Sequence, residues 1–244
     1  MKSIVKVSWL IVIILLIDQS VKIWVKTHMA LGDEIKIFGL EWALIHFVEN
    51  PGMAFGYQLS NDDMGKLALS LFRILAVGFL VYYIRFLIRK KASWGVLASF
   101  ALILAGALGN ILDSAFYGLI FSESTYHSGV AQLFPEGGGY EHFLHGNVVD
   151  MFYFPIWSGY LPAWIPLWGG QHFMFFKPVF NVADVSITMG VFNILTFQRQ
   201  FFLETNVGEK EPSDEEEKEE ATTSLEDTEE EKMTEGNNSE EVEK

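Results

Sequence analysis

Cysteine does not occur in this 244-residue chain. Its absence excludes disulfides, thiol nucleophiles and cysteine-ligated metal sites. The helical zinc pattern His-Glu-x-x-His is also missing. The Gly-rich "PEGGGY" (135–140) lacks the Lys and Ser/Thr of a phosphate-binding loop and reads as a turn. Basic residues are scarce, 17 Lys and Arg against 31 Asp and Glu. The one basic cluster, "IRFLIRKK" (84–91), is ordinary membrane-flanking charge, so no nucleic-acid partner is expected.

What is present divides into two different polymers. Residues 205–244 hold 17 acidic and four basic side chains, a charge of −13. The first 204 residues hold 14 and 13, a charge of −1. The tail is rich in Glu and poor in aromatics. It cannot bury enough apolar surface to offset its ordering entropy and is expected to be disordered. The body, residues 1–204, is expected to form one domain.

Apolar stretches long enough to cross a bilayer, roughly 20 residues each, occur four times: about Val7–Val25, Leu67–Ile88, Trp94–Asp113 and Phe180–Phe202. The first has no small-x-small cleavage site after it; "IDQSVKIWVK" continues a helix, so the span reads as retained. Lys2 and Lys6 precede span one, Arg85, Arg89, Lys90 and Lys91 separate spans two and three, and Arg199 lies near the end of span four. Basic residues favour the cytoplasmic side. Both termini and the short "IRKK" hairpin (88–91) are therefore expected inside, with 27–65 and 114–179 outside. Alternation in "EIKIFGLEWALIHFVEN" (34–50) predicts short strands, and "ENPGMAFG" (49–56) a turn. The aromatic "PIWSGYLPAWIPLW" (155–168) suits the headgroup level of the outer membrane surface.

Ionisable groups inside a bilayer need a reason, and here they gather near one end of the spans. Asp18 and Lys22 are four apart on one helical face, and Asn110 and Asp113 end span three. Asp150 lies in "VVDMF", and Asn181 and Asp184 open span four. Each has a plain structural reading. Asp18 and Lys22 form an i,i+4 ion pair, and Asn110 a helix-end or interhelical hydrogen-bonding group. Arg73, in the middle of span two, snorkels or pairs with a carboxylate. Asn181 and Asp184 close a capping box. Taken together, Asp150 and Asp184 suggest more. Two carboxylates close together in apolar surroundings share one proton. The ionised member can take a proton from water while the neutral one donates to a carbonyl. Such a pair needs no metal or cofactor. A rival metal site would use His142 and His145 of "YEHFLHG" with Glu141.

Five stretches, in chain order, resemble the lipoprotein signal peptidase (signal peptidase II) family: "DQSVK" (18–22), "ENPGMAFG" (49–56), "GNILDSAFYG" (109–118), "VVDMF" (148–152) and "FNVAD" (180–184). The resemblance implies an all-α membrane protein: four transmembrane helices with a small extracytoplasmic β-cradle and a short external helix. It implies an aspartyl endopeptidase of the bacterial cytoplasmic (inner) membrane, acting as a monomer among membrane lipids. Its substrates would be prolipoproteins, cut just before a diacylglyceryl-modified Cys. By the same resemblance the catalytic pair falls on Asp150 and Asp184. Supporting positions fall on Asp18, Lys22, Asn50, Gly52, Asn110, Asp113 and Asn181. Two departures stand out. The family usually has Asp-Arg where this chain has Asp113-Ser114, and Arg73 is the candidate to supply that charge. Residues 119–147 are an insertion, read either as a lid over the site or as an exposed loop. Two other classes stay open: a proton-linked carrier, in which paired intramembrane acids also belong, and a scaffold whose acidic tail recruits partners.

Overall fold

The computed structural model describes residues 2–51, 63–126 and 129–198. Gly52, most of the expected "ENPGMAFG" turn and the acidic tail lie outside these residues.

The first helix, α1 (Lys2–His28), contains no Gly or Pro and runs uninterrupted for 27 residues. Lys26 and His28 in its last turn complement the negative end of the helix dipole. A four-stranded antiparallel sheet is built from β1 (Glu34–Lys36), β2 (Leu44–Asn50), β3 (Val148–Tyr153) and β6 (Val179–Phe180), in that order. The strands expected over 34–50 are β1 and β2. They are joined through a single helical turn at Ile37–Gly39. A separate antiparallel hairpin pairs β4 (Trp157–Tyr160) with β5 (His172–Phe175).

Helix α2 (Asp63–Arg89) returns across the molecule, and α3 (Trp94–Leu112) follows. Ser93 caps α3, its hydroxyl accepting from the Val96 N–H at 3.4 Å. At its other end α3 widens into a π-helical segment, Asp113–Tyr117, before the short α4 (Gly118–Ile120). The last described helix, α5 (Val182–Phe197), is apolar and 16 residues long. Three helical stretches, Lys2–His28, Leu67–Arg89 and Trp94–Ile120, are long and apolar enough to cross a membrane; α5 is shorter.

Helix α5 packs on α3 through small residues and interhelical hydrogen bonds, the usual means of association where no water drives burial. A Cβ on Gly106 would clash with the Ala183 carbonyl, and one on Gly190 would come within 2.6 Å of the Ser99 carbonyl. Ser186 donates to the Leu102 carbonyl at 2.8 Å and Asn193 to Ser99 Oγ at 2.7 Å. On the far flanks apolar side chains stay exposed: Trp9 and Leu16 of α1, Phe72 and Leu75 of α2, Phe192 and Leu195 of α5. A second core lies under the sheet, where Val25 and Met29 meet Phe47, Tyr117, Phe121, Val149 and Met151.

The 119–147 insertion is tied to this core. Its backbone returns to the π segment and α4 through Glu141 N–H to the Gly118 carbonyl (2.9 Å) and Gly146 N–H to the Ser114 carbonyl (2.9 Å). Gly146 is required there, because a Cβ would sit 2.5 Å from the Asp113 carbonyl.

Candidate active site

The site begins at the start of α5. Asn181 precedes the first helical residue, and its Oδ1 accepts the Asp184 N–H at 3.0 Å. Asp184 Oδ2 in turn accepts the Asn181 N–H at 3.2 Å. Both hydrogen bonds of the capping box are therefore made. The same Asn181 also reaches outward. Its Nδ2 donates to Asp150 Oδ1 at 2.7 Å, and lies 3.2 Å from Asn110 Oδ1 and 3.3 Å from the Val149 carbonyl.

Asp150 reaches this point from the sheet. In β3 it is paired with Val48 of β2, just past an irregularity between Ile45 and Val48. Asn50, two residues further along β2, lies diagonally across and donates to Asp150 Oδ2 at 3.4 Å. Asp150 is only 5% exposed. Burial pushes its pKa up to about 7, and the nearby charge of Asp184 adds to the rise; donation from Asn181 pulls the other way.

A buried polar layer supports these groups. Lys22 Nζ lies 2.7 Å from Asp113 Oδ2 and 3.0 Å from Asp18 Oδ2. It also donates to Asn110 Oδ1 at 2.9 Å, and Asn110 Nδ2 passes the connection on to Asp184 Oδ1 at 3.0 Å. Asp18 Oδ1 accepts the Ala183 N–H at 2.9 Å, so α1 satisfies one of the orphan donors at the start of α5. Asp113 Oδ2 also accepts the Val149 N–H at 3.3 Å, fixing β3 next to Asp150. Gly109 makes the layer possible, since a Cβ there would fall 2.6 Å from Asp18 Oδ2.

Arg73 extends from α2 toward the same cluster. Its Nη1 donates to Ser114 Oγ at 3.2 Å, and its charge acts on Asp184, Asp113 and Asp150. The guanidinium thus lies beside Ser114, the residue of the Asp113-Ser114 departure.

The structure therefore gathers Asp18, Lys22, Asn50, Arg73, Asn110, Asp113, Asp150, Asn181 and Asp184 at one end of the helices. Gly52 falls outside the described residues. Sequence reasoning passed over Gln19, which donates to Asp113 Oδ1 at 2.9 Å and accepts from Tyr117 Oη at 3.1 Å. It also missed Lys26, whose ammonium is paired with Glu49 and donates to Ser124 Oγ at 2.8 Å. A signal for Lys26 existed: Asp18, Lys22 and Lys26 follow at intervals of four along one helical face. His142, His145 and Glu141 do not converge; among the described residues no group of three or more His, Asp or Glu side chains is placed to hold a metal.

The sequence matches the family profile described as "Signal peptidase (SPase) II" over residues 10–199. The chain belongs to the signal peptidase II family. Curated relatives bear the name lipoprotein signal peptidase. One from Porphyromonas gingivalis is 54% identical over 190 residues, covering 78% of this chain and 80% of the relative. One from Amoebophilus asiaticus is 36% identical over 201 residues, 81% and 79% of the two chains. Proteins of this family remove signal peptides from prolipoproteins. A solved structure described as a bacterial membrane enzyme shares the fold, with a TM-score of 0.50 at 21% identity, covering 85% of this chain and 93% of that one. Within this signal peptidase II fold, the described parts of all five sequence motifs meet at the polar layer or at the two carboxylates above it.

Proposed function

We propose that this member of the signal peptidase II family is an aspartyl endopeptidase with Asp150 and Asp184 as its catalytic pair. Its substrates are prolipoproteins, cut just before a diacylglyceryl-modified Cys. The observation that carries the reading is Asn181, which holds Asp150 by its side-chain amide and Asp184 by its capping hydrogen bonds. Charge balance supports a shared proton. Among the described residues, Asp18, Asp113, Asp150 and Asp184 face Lys22 and Arg73, while Lys26, which also acts on Asp113, is already paired with Glu49. Four ionised carboxylates would leave two negative charges uncompensated in a buried space, and one proton held between the pair relieves half of that excess.

Asp150 is the proton-bearing member at the start, since burial favours its neutral form. Asp184 sees two donors, Asn110 and the Asn181 backbone, together with the nearby Arg73. Asp184 takes a proton from the attacking water while Asp150 protonates the scissile carbonyl oxygen. The roles then reverse: Asp184 returns a proton to the leaving nitrogen as the C–N bond breaks. Lys22 and Asn110 position Asp184, and Asn50 and Asn181 position Asp150. Arg73 supplies positive charge beside the pair in place of the family Arg.

The membrane reading goes with this one. Lys2 and Lys6 begin α1, and Arg85, Arg89, Lys90 and Lys91 lie at the α2–α3 hairpin; the site lies at the opposite helix ends. Cytoplasmic termini, a site at the outer face of the inner membrane and α5 as a fourth span satisfy the positive-inside rule. Purified protein incubated with diacylglyceryl-modified and unmodified precursors tests the reading. Cleavage of the modified precursor alone is expected; equal cleavage of both, or of neither, refutes it.

A further inference from the structure

The β4–β5 hairpin is not used by the chemistry, yet it joins the two halves of the site. Asp150 stands in the strand before it and Asp184 in the helix after it. From Phe154 to Phe176 the chain carries no Asp, Glu, Lys or Arg. The hairpin pairs Trp157 with Phe175 and Tyr160 with His172, and its connecting turns point large side chains outward. Trp164 is 80% exposed, Leu167 88% and Trp168 60%. Leu167 also holds a left-handed backbone, φ 72°, which an L residue with a branched side chain adopts only at a cost. Packing within the protein does not offset that cost, because the side chain has almost none. A residue this strained and this exposed makes physical sense where its surroundings are not water.

We infer that the tip of this hairpin, around Trp164, Leu167 and Trp168, inserts into the headgroup–acyl boundary of the bilayer. The inference rests on the membrane reading above. The tip's chemistry fits that occupant. Trp collects at the interface, where an amphipathic ring meets both apolar and polar surroundings. With no formal charge, the tip has no need of anionic headgroups and cannot rely on them. After β5 the chain passes through Phe176, the exposed Lys177 and Phe180, with the two Phe rings 6.0 Å apart, and then enters α5, whose Met189 and Phe192 are exposed. The β1–β2 turn makes a useful contrast. It exposes Phe38 with φ 52°, but it is flanked by the exposed Lys36–Glu41 ion pair at 2.5 Å. Anchoring at the β4–β5 tip ties Asp150 and Asp184 to the membrane boundary from both sides, which fits a substrate whose acyl chains stay in lipid.

The cysteine-free chain allows a direct test. Single variants Leu167→Cys, Phe192→Cys and Glu136→Cys carry a nitroxide label on the full chain in phosphatidylcholine nanodiscs. Collision rates with oxygen and with a water-soluble nickel chelate are then measured. The label at 167 is expected to favour oxygen several-fold, close to the label at 192 and unlike the label at 136. The same ratio is expected when anionic phosphatidylglycerol is added. A nickel-dominated signal at 167 overturns the inference while 192 stays oxygen-dominated. So does spin–spin broadening between labels at 167, which places the tip on a second copy of the chain. If 192 is itself nickel-dominated, the membrane reading has failed instead.

Discussion

Asn181 Nδ2 donates to Asp150 Oδ1 at 2.7 Å, while Asn181 Oδ1 accepts the Asp184 N–H at 3.0 Å. One side-chain amide therefore caps the helix that carries Asp184 and holds the carboxylate of Asp150, 31 residues earlier in the chain. The two jobs use different atoms, so they can be separated. Asn181→Ser keeps a capping oxygen and loses the donor to Asp150. We expect its thermal midpoint to stay near that of the wild type, with activity down about 100-fold, the scale of a misplaced catalytic group. Asn181→Ala loses both functions and should add about 1 kcal/mol of destabilisation. Thermal unfolding in detergent, run beside turnover, checks both.

The pKa of Asp150 sets a pH dependence. Its folded value, about 7, lies above the ordinary carboxylate value of 3.8. A raised carboxyl pKa gives stability that is complete below the unfolded value and is lost as pH rises through the folded one. Unfolding experiments should therefore show stability falling between about pH 4 and pH 7 by a few kcal/mol at most. Asp150→Asn should flatten that part of the curve and be the more stable protein at pH 8. Turnover should also decline above about pH 7 as the pair loses its shared proton.

Arg73 and Ser114 offer a swap. The guanidinium donates to the serine hydroxyl at 3.2 Å, so the Arg73 side chain of α2 occupies space next to position 114. Arg73→Ala should cut activity far more than it cuts the yield of folded protein. Adding Ser114→Arg should restore part of the loss, because the new side chain can fill the vacated volume. Equal activity in the single and double variants would show that the charge is not interchangeable between the two helices.

The buried Lys26–Glu49 pair joins α1, β2 and the insertion. Lys26 also donates to Ser124, and Glu49 Oε2 accepts from Asn147 Nδ2 at 3.1 Å. Removing one partner strands the other charge, so Lys26→Met should destabilise by about 3–5 kcal/mol. The double variant Lys26→Met/Glu49→Met should be less damaged than either single change, as measured by thermal unfolding in detergent.

These residues show where the sequence was and was not readable. Asp18–Lys22 and Asn181–Asp184 are four and three residues apart, so helical geometry alone brings each pair together. The apolar runs likewise place α1, α2 and α3, and alternation places β1 and β2. Asn181 and Asp184 make the capping hydrogen bonds, and the same Asn181 side chain also reaches Asp150. Gln19 lies within "DQSVK", but its partner Asp113 is 94 residues away and no local pattern links them. The π-helical Asp113–Tyr117 segment has no periodic signature, and a single widened turn was hidden within a continuous apolar run. The insertion looked like a lid or a loop because its ties to Gly118 and Ser114 are made by backbone, which composition does not report.

The central claim is that Asp150 and Asp184 act as one unit. The most direct measurement is turnover of a diacylglyceryl-modified precursor by Asp150→Asn and by Asp184→Asn, each shown to be folded by thermal unfolding. The account predicts that either change alone abolishes cleavage and that the double variant is no worse than the singles. Near-normal turnover in either single variant would contradict it.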